Sequence, residues 1–178
     1  MDLWSEFRHH FDTDDGSLPG IDIEGLSGAQ VGATYRFLRS IGDSVADCVP
    51  PAQFWHRTKN AAVAVDAVPN LPELVVTGEA ESPHFCLTFH FEGISIPPIG
   101  LAVFRDAIGL DFRMGPEWTP DCVRAFLRLL QALRALSPQS RFSFTSEFGD
   151  PAGFLASWER FVKLYPQPVQ CTGEQARS

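Results

Sequence analysis

Apolar residues recur at helical spacing in four segments of the chain. Leu3, Trp4, Phe7 and Phe11 fall on one face of a short helix predicted over Leu3 to Phe11. Ser27 followed by Gln30 forms a capping box, with Leu26 and Val31 placed as a hydrophobic staple. The helix it opens runs to about Ile41 and buries Val31, Tyr35 and Leu38. Thr119-Pro120-Asp121 supplies a cap, a proline at the first position and an early acid for a third helix. Its core face is Val123, Phe126, Leu127, Leu130, Leu133 and Leu136, and Ser137-Pro138 ends it. Asp150-Pro151 opens a fourth, with Phe154, Leu155, Trp158, Phe161, Val162 and Tyr165 as its apolar stripe.

Between these helices the pattern alternates. Ile21 and Ile23 point one way and Asp22 and Glu24 the other, as in a half-buried strand. Short strands are expected at Gln53 to Arg57 and Ala61 to Val65, between the breakers Pro50-Pro51 and Pro69. Glu73 to Gly78, His84 to Glu92, Gly100 to Arg105 and Ile108 to Arg113 then read as strands joined by short turns, an antiparallel meander. Arg141 to Phe148 alternates again, with Phe142, Phe144 and Phe148 on one side. The expected fold is α+β, one antiparallel β-sheet packed with about four α-helices. No repeat or linker divides the sequence, so residues 1–166 are expected to form one globular domain, with a disordered tail over 167–178.

Composition adds bounds. A chain of 178 residues can bury a core without disulfides or metals. The N-terminus is acidic and resembles no secretory signal, and no apolar run is long enough to cross a membrane, so a cytoplasmic location is expected. Cys48, Cys86, Cys122 and Cys171 contain no C-x-x-C pair, which leaves them as free thiols, with Cys86 and Cys122 expected as small core residues. Residues 1–89 hold 13 Asp and Glu against 5 Lys and Arg, whereas residues 90–178 hold 9 of each. Excess negative charge confined to one half argues against nucleic-acid binding and suits a basic protein partner.

Two segments invite chemistry. The run HHFDTDDGSLPGIDIEG gathers Asp12, Asp14, Asp15, Asp22 and Glu24. A calcium loop beginning at Asp12 fails, because Gly16, Ser17 and Ile23 fall where an acid, a glycine and a glutamate are required. Asp15-Gly16 and Pro19-Gly20 instead supply a stiff turn, and short acids on a stiff segment lose little entropy when they meet a basic surface. His9-His10 either pairs with these acids, raising its pKa, or lies solvated at a helix end. In PHFCLTFHFEG, His84, Cys86, His90 and Glu92 share the face opposite Phe85, Leu87, Phe89 and Phe91. At ~3.4 Å per residue, Cys86 and His90 lie about 13 Å apart, too far to ligate one ion, so metal or nucleophilic chemistry there needs groups from neighbouring strands. Asp111 and Arg113 lack an evident partner, and Trp4 and Trp118, near element ends, are expected to be exposed. The nucleophile-elbow, P-loop, dinucleotide-binding and zinc-protease signatures are absent.

The segment FDTDDGSLPGIDIEGLS, Phe11 to Ser27, resembles the opening of toxin-neutralising immunity proteins of bacterial contact-dependent and type VI secretion systems. That resemblance implies a cytoplasmic, acidic, single-domain, non-enzymatic protein that occludes a toxin's active site, and it extends no catalytic residue onto this chain; no cofactor or metal is expected. The first expectation is therefore a protein-binding inhibitor that meets a basic toxin surface with Asp12, Asp14, Asp15, Asp22 and Glu24. Alternatives are a small-molecule- or metal-binding enzyme domain using the His84, Cys86, His90 and Glu92 face, and a structural subunit of a larger assembly.

Overall fold

A computed structural model describes residues 2–13, 16–44, 51–146 and 150–166. Its chain order begins with α1 (Leu3–Phe7), a 3-10 turn (Arg8–His10), β1 (Gly20–Glu24), α2 (Gly28–Ile41) and β2 (Gly42–Ser44). It continues with β3 (Gln53–His56), β4 (Ala61–Ala64), α3 (Leu71–Thr77), β5 (His84–Phe91), β6 (Ile94–Ser95), β7 (Ile99–Val103) and β8 (Ala107–Phe112), and ends with α4 (Pro120–Leu136), β9 (Arg141–Thr145) and α5 (Pro151–Leu164). The fold is α+β. The seven-stranded sheet has the order β2-β5-β7-β8-β1-β9, the short β6 pairs with β5, and every ladder is antiparallel.

The expected meander accounts for β5 to β8. Glu92 and Gly93 both have positive φ, 50° and 78°, and connect Phe91 to its partner Ile94 in the tight two-residue turn that suits hairpin twist. The N-terminal strand β1 enters between β8 and β9, pairing Ile21 with both Leu110 and Phe144. An apolar–polar alternation cannot specify that insertion, because it fixes faces and leaves neighbours open.

Strand parity places Ile21, Ile23, Leu87, Leu101, Ile108 and Leu110 in the core, beneath α2, α4 and α5. The capping box at Ser27 and Gln30 is formed, and Thr119 and Asp150 cap α4 and α5 as expected. At one end of the core, Phe11, Phe112, Trp118 and Phe126 form a cluster of rings with centroids 4.7–6.0 Å apart.

Four expectations are corrected. Glu73 to Gly78 belongs to helix α3, not to a strand: Pro72 lies in its first turn, Leu71, Pro72 and Val75 are buried, and Gly78 closes it at φ 82°. Trp118 is 1% exposed, because the turn before α4 folds its ring into the aromatic cluster, where Nε1 donates to the Arg113 carbonyl at 2.8 Å. His10 is neither solvated nor paired with the acids; it is 3% exposed, edge-on to Phe144 and Phe154. Cys86 and Cys122, expected as small core residues, are in no disulfide and are only half-buried. The expectations for Asp14, Asp15, Cys48, Pro50, Phe148, Cys171 and the tail lie outside the described residues.

Candidate functional site

One set of alternate strand positions is buried in the core with α2, α4 and α5 against the sheet, and the other set is half-buried or exposed along most strands and forms the opposite face. Register aligns these positions into rows. One row runs His84, Ala102, Gly109, Asp22 and Ser143 across β5, β7, β8, β1 and β9. The next runs Cys86, Gly100, Asp111, Gly20 and Thr145. Flanking them, Glu24 faces Ala107 on one side and Arg141 on the other. Glycine and alanine in the middle strands make a low floor between polar walls.

The low floor sets the polar contacts. Oδ2 of Asp111 meets Nε2 of His84 at 2.7 Å across β7, over Gly100. A Cβ at Gly100 would lie 2.6 Å from Cγ of Asp111, so only glycine leaves room for this reach. At Gly109 a Cβ would lie 3.0 Å from Oδ1 of Asp22 and 3.3 Å from Cε2 of Phe104. Asp22 and Phe104 therefore lean over the same bare position.

The two carboxylates of β1 occupy different environments. Arg141 donates to Oε2 of Glu24, its Nε at 2.9 Å, while the Ser143 hydroxyl meets Oε1 at 3.2 Å. The Arg141 hydrogen bonds, together with its charge, hold the Glu24 carboxyl below the usual range. The carboxylate of Asp22 has no hydrogen-bond or ion-pair partner among the described residues. Partial burial pushes its pKa up, and the neighbouring charges of Glu24 and Asp111 push it further. Both oxygens of Glu24 already accept hydrogen bonds, so the strand offers one satisfied carboxylate and one that lacks a counter-charge.

Of the acids expected to act together, Asp22 and Glu24 share this face. Asp12 instead follows the 3-10 turn, where Arg8 approaches it at 3.5 Å. Three of the four residues of the alternative face have separate partners. His84 is paired with Asp111, and His90 meets Asp43 of β2 at 3.1 Å. Glu92 lies in the hairpin turn rather than on the strand, with Arg128 of α4 at 3.4 Å. Among the described residues no group of three or more His, Cys, Asp or Glu side chains is placed to hold a metal ion.

Sequence reasoning missed Asp111, Asp43, Arg141, Ser143 and Phe104 as members of this face. Asp111 alternates with the apolar positions of β8 as Asp22 does in β1, which marked its face but not its neighbours. Phe104, inside the strand expected at Gly100 to Arg105, instead follows β7 in the turn and is 40% exposed.

No protein-family model and no curated protein matches the chain. A search of solved structures finds a chain in the crystal structure of the toxic C-terminal tip of CdiA from Pseudomonas aeruginosa in complex with immune protein. The two share 16% sequence identity with a TM-score of 0.45, over 74% of this chain and 87% of that one. At that level the likeness assigns neither activity nor partner. No helix among the described residues is long and apolar enough to cross a membrane.

Proposed function

We propose that this chain is a single-domain protein-binding module that neutralises a cognate bacterial toxin by covering a basic surface with its open sheet face. The observation that supports this reading is the face itself: a floor of small residues carrying Asp22, Glu24 and Asp111 on the side of the sheet opposite the core. The sheet backbone holds these groups in place before encounter, so binding orders few side chains. Negative charge concentrated there would speed association with a cationic partner and make it sensitive to salt.

Co-expression with the product of the adjacent gene tests the reading. If that product is toxic, cells should survive only when this chain is present, and the purified pair should associate more slowly as salt rises. Replacing Asp22 and Glu24 with Asn and Gln should slow association at low salt. Full toxicity despite folded protein, or a rate indifferent to both salt and the double substitution, would refute it.

A further inference from the structure

We infer that the hollow between Asp22 and Phe104 is a receptor for one arginine side chain of the protein partner. The inference rests on the binding role proposed above and specifies which partner group the face takes. The hollow measures about 590 Å³ and is lined by Asp22, Glu24, Phe104, Asp106, Ala107 and Arg141. Gly109 lies beneath two of these walls: a Cβ there would press on Oδ1 of Asp22 at 3.0 Å and on Cε2 of Phe104 at 3.3 Å, so its missing side chain lets both lie where they do.

Charge selects the occupant. Three carboxylates face a single guanidinium, that of Arg141, which is already engaged by Glu24. The other nearby cation is turned away. Arg105 follows Phe104 in the β7–β8 turn, but its Nε donates to the Val76 carbonyl of α3 at 3.1 Å. The hollow thus keeps a net negative charge that the described residues do not neutralise.

Shape selects arginine over lysine. Phe104 is held by the turn, its N–H donating to the Ala107 carbonyl at 2.9 Å, and it stays 40% exposed beside the carboxylate. A planar guanidinium can stack on a ring while donating two parallel hydrogen bonds to a carboxylate. An ammonium presents a point charge and makes less of the ring.

The test is an NMR titration of the intact chain with N-acetyl-arginine amide, using the citrulline and lysine analogues as controls. The arginine probe should give saturable shifts at Gly109, Asp22 and Ala107 with millimolar affinity, and citrulline, which lacks the charge, should give none. Asp22→Asn should weaken arginine binding by tenfold or more. Phe104→Ala should weaken it about threefold to fivefold and abolish the preference over lysine. Gly109→Ala keeps both side chains but its methyl displaces Asp22 and Phe104 from their present positions, and should also weaken binding; its amide spectrum reports whether the fold is intact. Equal shifts from citrulline, unchanged affinity in folded Asp22→Asn and Gly109→Ala, or shifts centred elsewhere would overturn the inference. The probe contains no toxin, so failure of the arginine site leaves neutralisation to be judged by co-expression, and failure of neutralisation leaves the titration result standing.

Discussion

Asp111 and His84 lie two strands apart, yet their side chains meet at 2.7 Å because the strand between them carries glycine at position 100. The contact shows how the open face is organised, with small residues in the middle strands letting side chains from β5, β8 and β1 lie across the sheet. Because the His84 side chain is about half exposed, the pair is expected to contribute less than about 1 kcal/mol to stability.

Gly100→Ala should therefore destabilise the fold by more than loss of the ion pair. A methyl group at that position collides with the Asp111 carboxylate, and forced repacking of this kind costs about 1–3 kcal/mol. Urea unfolding of Gly100→Ala and His84→Ala should rank the glycine variant as the less stable. Equal stability would show that Asp111 swings away freely.

Asp22→Asn should have the opposite sign. The folded-state pKa of Asp22 lies above its unfolded value, so the native state holds its proton more tightly and stability falls as pH rises through that window. At neutral pH the native state carries a carboxylate whose charge is disfavoured by burial and by Glu24 and Asp111. Removing the charge should raise stability by a few tenths of a kcal/mol, up to about 1 kcal/mol after solvent screening. A thermal scan at pH 7 and at pH 4 checks this, and the gain should shrink at the lower pH.

His10 makes the fold sensitive to mild acid. Burial against Phe144 and Phe154, with the adjacent His9 adding a smaller effect, lowers its pKa from 6.5 to about 4. A histidine with a depressed folded pKa is neutral in the native state while the unfolded chain takes up a proton below pH 6.5. Stability from this group is therefore complete above about 6.5 and declines toward pH 4, at up to about 1.4 kcal/mol per pH unit. Urea unfolding between pH 8 and pH 5 should show this slope, and His10→Leu should flatten it.

Trp118→Ala should cost about 3–5 kcal/mol, the range for deleting a large buried aromatic side chain. Its ring touches Phe11, Phe112 and Phe126, and its Nε1 satisfies the Arg113 carbonyl. Trp118→Phe should recover much of the packing but leave that carbonyl without its donor. Denaturant midpoints of the two variants separate these contributions.

The sequence by itself determined the elements whose signals are local and repeated. The capping box at Ser27, the Thr119-Pro120 start and the Asp150-Pro151 start each name a helix end, because the capping atoms lie within three residues of one another. The two-residue alternation fixed which side chains of β1 and β5 face the core, and so placed Asp22, Glu24, His84 and Cys86 on the outer side. It misread 73–78 because a short apolar run fits either period, although Pro72 and Gly78 were available as helix punctuation.

Only the tertiary structure decided which outer residues meet. Strand order places Asp22 of β1 beside Gly109 of β8 and Ser143 of β9, neighbours 87 and 121 positions away along the chain. The same order gives Glu24 a guanidinium and leaves Asp22 without one, so two acids that look equivalent in the sequence acquire opposite pKa shifts. It also turned His10 and Trp118 inward, since burial depends on what other segments bring to a position and not on the residue's own pattern.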